Sequence, residues 1–479
     1  MMRQVAAQDL PTVASDVLKL IDEGQFVRAD KVLSQSGPSH DPMMNVLKAE
    51  VEIYFARLDQ ADDLLEAVAP DIESIHLAAR YALARGGLLY WRYDYEEASD
   101  QLQAAYHMYK FLADSFYMAS ALYGLGRLRR RQAQYEAAVD LLNRARAMVE
   151  AEETTRGDFL RGLIDFNLGV CQHQLGDLKT ASALYESSVG LLRDTEEYRY
   201  YGLALNSYGA LLKRLGKYDA ALNCLERATQ IFSRLGIFED MAHTTSNLAL
   251  TLIRLQRYDE AQRLLYESIE LRHRVGDIAG TALCLELLAE LNLEVGDLPA
   301  AVTFAAQAME QADLATNSFQ QAYARITAGR VCFRKGDAFG AEKRLLAALD
   351  MAATLESKEL ICVASLYLAE CYLVLSPLKG REYLWKSAEL LHDFQDVWFQ
   401  SEFERISQRY KGERISITED NKLLINGNLL PTWAAAKEAV EKFLLKNALE
   451  QSEDNQTQAG RLLGITKVHV HDKRKQYDI

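Results

Sequence analysis

The sequence predicts an all-α fold in which pairs of helices repeat along most of the chain and a small helix-turn-helix domain follows them. Alanine recurs every 40 residues from Ala181 to Ala341, only 7 of the 479 residues are proline, and a short two-helix pattern lies at the C-terminal end. The low proline content leaves nearly every segment free to be helical. We therefore expect a helical repeat array over residues 1–410, a hairpin or linker over 411–432 and a helix-turn-helix domain over 433–479.

The repeated unit is clearest in the segment from Leu215 to Ala221, whose pattern of glycine, aromatic residue and alanine returns before and after it. Nine of about ten units over residues 15–390 carry alanine at the last position of this pattern: Ala29, Ala61, Ala98, Ala138, Ala181, Ala221, Ala261, Ala301 and Ala341. Each unit predicts two antiparallel helices. Because no unit can bury its apolar face alone, neighbouring units must stack into an array.

Small residues also recur on the first helix of each predicted pair, as Gly169, Gly209, Ala249, Ala289 and Gly329. A small residue on each helix allows the two backbones to approach closely. The pattern resembles that of the tetratricopeptide repeat family. Its usual unit has about 34 residues, whereas the units here have about 40. The resemblance implies an elongated superhelical solenoid whose groove binds a protein or peptide, as in intracellular peptide-sensing and scaffold proteins.

Arginines recur two residues before the turn between the paired helices, where the tetratricopeptide repeat resemblance implies proximity to the groove. They are Arg131, Arg214, Arg254 and Arg334. A row of arginines would suit an acidic peptide, a carboxylate or a nucleotide. The alternative is that these side chains interact favourably with the negative ends of their helices on a solvated surface.

Two asparagines on first helices of the pairs, Asn167 and Asn247, are candidates for hydrogen bonds to a peptide backbone, with a purely structural role as the alternative. A second basic cluster contains Arg127, Arg129, Arg130 and Arg131. It favours a solvated helix face over a nucleic-acid site.

The C-terminal segment contains a stretch that alternates like a strand, 414–418, and a second apolar run, 422–425, followed by a predicted helix over 433–451. Asn455 is suited to cap the next helix, and the Leu463-Gly464-Ile465 turn separates it from the last one. This pattern has the size of a helix-turn-helix.

The same segment resembles the Fis-type DNA-binding domain, which is also found at the C-terminus of bacterial enhancer-binding activators. The matched positions are Asn455, Ala459, Leu462, Leu463, Gly464, Ile465, Lys467, Lys473, Lys475 and Tyr477. The resemblance implies a recognition helix that begins at Thr466. It places Lys467, His469 and His471 in the major groove and Thr457, Lys473 and Lys475 on phosphates. We expect the head to bind DNA as a homodimer, because its first helix offers a wide apolar face that two short helices cannot cover alone. The alternative is an adaptor or scaffold whose head only mediates self-association.

Composition restricts the other function classes. A net charge of −14 argues against binding nucleic acid along the whole chain, while residues 434–479 carry 8 basic and 7 acidic residues. The six cysteines are scattered without metal-ligand spacing, and His469 and His471 point apart on a helix. We find no phosphate-binding loop or nucleophile motif. The sequence thus predicts a cytoplasmic bacterial-type regulator, with no enzymatic activity, cofactor, metal or membrane contact.

Overall fold

The computed structural model of the chain describes residues 12–36, 41–69, 72–150, 152–195, 197–410, 415–417, 423–425 and 433–477. The chain divides into two compact units, Met1–Gly280 and Thr281–Ile479. No helix among the described residues is long and apolar enough to cross a membrane.

The first unit consists of helices that pack in sequential pairs. Their bounds are α1 (Thr12–Asp22), α2 (Phe26–Ser36), α3 (Pro42–Tyr54), α4 (Leu58–Val68), α5 (Ile75–Trp91), α6 (Tyr95–Phe111), α7 (Ser115–Arg131), α8 (Tyr135–Val149), α9 (Thr155–Gln174), α10 (Leu178–Arg193), α11 (Tyr198–Arg214), α12 (Tyr218–Leu235), α13 (Phe238–Arg254) and α14 (Tyr258–Val275).

The second unit continues the helical pairs and ends in a hairpin and three further helices. Its elements are α15 (Ile278–Val295), which spans the boundary between the units, α16 (Leu298–Leu314), α17 (Ser318–Arg334), α18 (Ala338–Thr354), α19 (Lys358–Leu375), α20 (Pro377–Phe394), α21 (Val397–Arg409), β1 (Ile415–Ile417), β2 (Leu423–Ile425), α22 (Trp433–Gln451), α23 (Gln456–Leu463) and α24 (Lys467–Tyr477). The strands β1 and β2 pair antiparallel, with Ser416 opposite Leu424. They lie in the segment for which the sequence predicts a hairpin or linker.

Local chemistry determines where the helices begin and turn. Asp177 caps α10, because its Oδ1 accepts a hydrogen bond from the Thr180 amide at 3.0 Å. Gly216 turns the chain between α11 and α12 with a φ of +74°. The equivalent residue in the next unit is Gln256, which adopts a φ of +60°. The left-handed turn is therefore kept even where glycine is absent.

The predicted close approach of paired helices is confirmed. All nine repeating alanines are fully buried, with 0% exposure. On the facing helices, a Cβ added to Gly209 would lie 2.7 Å from Leu225 Cγ, and one added to Gly329 would lie 2.7 Å from Leu345 Cγ. The array is therefore an all-α solenoid of elongated tetratricopeptide-like units, as the sequence predicts.

Replacing Gly209 with Leu should destabilise the first unit. The new side chain would overlap Leu225, and overpacking of a close contact typically costs about 1–3 kcal/mol. Gly190→Leu is the matched control, because a Cβ at Gly190 meets no atom within 4 Å. Thermal unfolding followed by circular dichroism should show a lower midpoint for Gly209→Leu alone. Equal midpoints for the two variants would contradict the packing described here.

Candidate functional site

An aromatic cavity of about 240 Å³ lies in the first unit. Its walls come from α1, α2, α3, α5, α6, α7, α9 and α11. The aromatic side chains that line it are Phe26, Tyr54, Trp91, Phe116, Tyr117, Tyr123, Phe159 and Tyr200. Ligand sites combine such apolar walls with a small number of polar groups that orient the ligand.

One polar group in the cavity is the buried Arg80, which is 4% exposed. Its guanidinium donates two hydrogen bonds to Glu50 and one, of 3.4 Å, to Asp22 Oδ1. The hydroxyl of Tyr117 donates to the other oxygen of Asp22. Burial raises the pKa of Asp22 and of Glu50, and the charge of Arg80 opposes this change. The hydrogen-bonding capacity of Arg80 is thus taken up by protein carboxylates.

A second arginine, Arg127, has a different environment. Its guanidinium carbon lies 4.3 Å from the ring centre of Tyr90, 5.4 Å from that of Tyr123 and 6.0 Å from that of Trp91. Cation–π contacts of this kind are favourable when the groups are shielded from water. Burial alone would raise the pKa of Tyr90. The charge of Arg127 and a hydrogen bond from Arg131 outweigh this effect and lower the pKa to about 8.

Tyr54 connects α3, in the N-terminal part of the cavity wall, to the start of α11. The hydroxyl of Tyr54 donates to Glu197 Oε1 at 3.0 Å, although the two residues lie 143 positions apart. The ring of Phe26 stacks on Tyr54 with a centroid distance of 4.2 Å. Glu197 is 0% exposed, and its Oε1 also accepts from the Tyr200 amide at the start of α11. Burial raises the pKa of Glu197 to about 7.

The predicted groove residues lie elsewhere. Arg131, Arg214, Arg254 and Arg334 are the C-terminal residues of α7, α11, α13 and α17, and none lines the cavity. Arg131 Nε donates to the Tyr90 hydroxyl at 3.0 Å, and Arg214 Nη1 lies 3.4 Å from His173 Nε2. Their positions are those expected for favourable interaction with helix dipoles.

The two predicted asparagines differ from each other. Asn247 is partly buried, accepts from Lys213 Nζ at 3.3 Å and donates to Asn206 Oδ1 at 3.2 Å. Asn167 is only 1% exposed, and its Nδ2 donates to the Leu163 carbonyl at 2.9 Å within the same helix. The burial of Asn167 favours the structural role over the contact with a peptide.

The interpretation of Arg127 as part of a solvated face is also corrected. Phe116, Ser120, Tyr123 and Arg127 all line the cavity from α7. They follow one another at intervals of four, three and four residues, which places them on one face of the helix. This spacing is the feature of the sequence that could have indicated a shared helix face. Without knowledge of which helix face meets the cavity, it did not distinguish Arg127 from the neighbouring arginines.

The C-terminal head, residues 433–477, has a small core of its own. Leu445, Ala448, Leu449, Ala459, Val470 and Tyr477 are its buried apolar residues. Asn455 Oδ1 accepts from the Thr457 and Gln458 amides, and Gly464 turns the chain with a φ of +69°. The last helix begins at Lys467, with Thr466 Oγ1 accepting from the His469 amide at 3.2 Å. Thr466 therefore caps this helix.

The predicted DNA-contacting residues in the head are exposed with one exception. The exposed ones are Thr457, Thr466, Lys467, His469, His471 and Lys475. Lys473 instead forms an ion pair with Glu441 and donates to the Tyr477 hydroxyl at 3.1 Å. The phosphate contact of Lys473 stays a prediction, and such a contact would compete with these bonds between α22 and α24.

Comparison with known proteins agrees with this architecture. Residues 160–234 and 240–314 match the tetratricopeptide repeat family model. These segments are tetratricopeptide repeats. No curated protein matches the sequence.

Solved structures share the fold over most of the chain. The apo form of RapI has a TM-score of 0.58 at 15% identity and covers 73% of this chain and 97% of its own. The apo form of the quorum sensor NprR from B. thuringiensis has a TM-score of 0.53 at 16% identity and covers 71% and 97%. NprR in complex with its cognate peptide NprX has a TM-score of 0.49 at 16% identity and covers 74% and 100%.

Among the residues that the structure describes, no group of three or more histidine, cysteine, aspartate or glutamate side chains is arranged to hold a metal ion. The six cysteines are free thiols. Burial raises the pKa of Cys171, Cys362 and Cys371 to about 11. These thiols are thus protonated at neutral pH and are poor nucleophiles.

Replacing Glu197 with Gln should reduce the sensitivity of the fold to pH. Its pKa rises from 4.5 to about 7 on folding, so the stabilisation is complete below 4.5 and is lost as the pH rises through 7. A shift of this size corresponds to at most about 3 kcal/mol. Relative to the parent, Glu197→Gln should therefore gain stability as the pH is raised from about 5 to about 8. Urea unfolding at several pH values measures this difference.

The exposed Glu66 provides the control, because Glu66→Gln removes a carboxylate from the surface of the same unit. Its stability relative to the parent should stay constant over the same pH range. If the stability of Glu197→Gln relative to the parent also stayed constant with pH, this would contradict a Glu197 carboxyl that is protonated in the folded state.

Proposed function

We propose that the protein is a DNA-binding transcriptional regulator. In this proposal the array binds a peptide or protein segment, and the C-terminal head binds DNA as a homodimer. The observation that carries it is the surface of α24. Val470 and Tyr477 anchor this helix in the core of the head, while Lys467, His469 and His471 remain exposed at its N-terminal end.

The arrangement of the head supports a role in DNA binding. In helix-turn-helix proteins, residues at the N-terminal end of the second helix contact base edges in the major groove. Thr457 and Thr466, at the starts of α23 and α24, and Lys475 are exposed and suited to phosphate contacts. The near-neutral charge of the head contrasts with the acidic chain as a whole.

The array supports a role in ligand binding. Its first unit contains a cavity with aromatic walls and two arginines. The quorum sensor NprR has a similar fold and has been solved with a cognate peptide. We propose that a peptide bound in the first unit changes the activity of the head. The proposal involves no catalytic step, and it assigns the protein to the cytoplasm.

An adaptor or scaffold function is the second candidate. Leu444, Leu462 and Val468 in the head are 48%, 56% and 67% exposed. Exposed apolar side chains of this size favour an interface with another chain. A head that only self-associates would use these residues and would not bind DNA.

Replacing Lys467 and His469 together with Ala should abolish sequence-specific DNA binding by the full chain. Each good base contact provides roughly 1–3 kcal/mol of discrimination, so losing two removes most of the preference for the cognate site. Sheared genomic DNA recovered with the parent protein provides the probe for a gel shift. Binding by the parent should weaken steeply as salt increases.

Lys446→Ala is the control, because this lysine is exposed on α22, outside the proposed recognition helix. It should bind the recovered fragment as the parent does. Parent protein that recovers no specific fragment, or a double variant with unchanged affinity, would contradict DNA recognition by α24 and favour the adaptor.

We also expect the full chain to be a dimer in which the head supplies the contact. Leu444→Glu places a charge in the exposed apolar surface and should shift the protein toward the monomer. Lys446→Glu, also on α22, serves as the control and should leave the dimer intact. Sedimentation velocity measures the oligomeric state. A monomeric parent, or a Leu444→Glu variant that remains dimeric, would argue against this interface.

A further inference from the structure

The charge balance of the first-unit cavity distinguishes Arg127 from most other arginines that contact aromatic rings. Arg131 and Arg227 also lie over rings with no carboxylate within 4.0 Å among the described residues, but both are exposed. Arg57, Arg80, Arg156 and Arg199 each lie over a ring and also have a carboxylate within 4.0 Å. In the second unit, Arg330 lies 4.6 Å from the ring centre of Tyr367 and has Glu290 at 3.5 Å. Arg127 contacts three rings but has no carboxylate within ion-pair distance among the described residues.

Arg127 is therefore the uncompensated charge in the cavity wall. The other charged lining residues, Arg80, Asp22 and Glu50, are bonded to one another, and Arg156 lies 4.0 Å from Asp22 Oδ2. The guanidinium groups of Arg80 and Arg156 thus already have carboxylate partners, since Arg156 also pairs with Glu152. A guanidinium that is shielded from water is unfavourable unless an anion lies beside it. The cavity thus favours an anionic group beside Arg127.

Tyr123 gives a second, independent indication. Its side chain is 7% exposed and lines the same cavity, and its hydroxyl is a buried polar atom without a hydrogen-bond partner among the described residues. Buried hydroxyls are normally hydrogen-bonded. A carboxylate can accept from the Tyr123 hydroxyl and from the Arg127 guanidinium together, because it has two oxygens with about four acceptor positions.

The rest of the cavity wall restricts the kind of ligand that can present this carboxylate. Trp91, Phe116 and Leu163 are apolar neighbours in the lining, and the volume of about 240 Å³ is below the ~300–1,000 Å³ of sites that enclose a whole drug-sized ligand. One or two apolar groups fit in such a space.

We propose that Arg127 and the Tyr123 hydroxyl bind the C-terminal carboxylate of a peptide whose last side chain is apolar or aromatic and occupies this cavity. The inference rests on the proposed function, in which the array binds a peptide, and it specifies which end of the peptide is recognised.

Small probes test this inference on the full chain. N-acetylphenylalanine presents the carboxylate and an aromatic side chain, N-acetylphenylalaninamide lacks only the charge, and N-acetylaspartate amide presents a side-chain carboxylate. Trp91 lies in the cavity wall, so changes in tryptophan fluorescence report binding. N-acetylphenylalanine should bind at least about tenfold more tightly than its amide, because a charge-assisted hydrogen bond is lost in the amide.

Variants assign the effect to individual groups. Arg127→Gln should weaken N-acetylphenylalanine by about tenfold or more and should remove the preference over the amide. Tyr123→Phe deletes only the hydroxyl and should cause a smaller loss. Arg129→Gln is the matched control on α7, because Arg129 bonds to Gln132 on the exposed surface. Thermal unfolding identifies any variant that fails to fold. If Arg127→Gln does not fold, the affinities of Tyr123→Phe and Arg127→Lys are compared with that of the parent instead.

The outcomes separate this inference from the function on which it rests. Equal binding of the acid and the amide, no binding of the acid, or unchanged affinity in Arg127→Gln would overturn it. Tighter binding of N-acetylaspartate amide would instead assign the site to a side-chain carboxylate and would also overturn the proposal. Because fluorescence requires no DNA, a head that fails to bind DNA leaves this result intact.

Discussion

The close crossing of the two helices in each unit is the contact on which the rest of the array depends. Ala221 is fully buried, and Gly209 faces Leu225 with no room for a Cβ. A larger residue at either position would push the helices apart and change the angle at which the next pair packs. Because each pair contacts mainly its neighbours, such a change is carried along the array. The recurring small residues therefore define how the helix pairs pack against one another.

The cavity shows how a regular array produces a specific site. Eight of the 22 residues that line it are aromatic, and aromatic side chains supply shape and area but little charge. Its two arginines have contrasting environments. Arg80 is bonded to Glu50 and Asp22, which connects α5 to α3 and α1. Arg127 lies over three aromatic rings and has no carboxylate within ion-pair distance among the described residues. Arg80 therefore holds helices together, whereas Arg127 is the arginine whose charge we propose a ligand would pair with.

The head uses a different principle, since its three helices have too little apolar surface for a large core. Capping by Asn455 and Thr466 defines the ends of its short helices. The ion pair between Lys473 and Glu441 connects the last helix to the first. Lys467, at the opposite end of the last helix, is exposed. One end of this helix therefore contributes to the stability of the head, and the other end is the surface that the proposed regulator would use for recognition.

The sequence by itself determined the period of the array, the helix pairs and their crossing points, because a 40-residue interval of small residues has few structural solutions. It also determined the turns and caps of the head, which depend on local chemistry. Only the tertiary structure decided which side chains meet across the array. Tyr54 bonds to Glu197 across 143 residues, Arg127 faces a cavity, and Asn167 is buried. These contacts depend on the accumulated rotation of successive helix pairs, and a repeating pattern of residue types does not specify that angle.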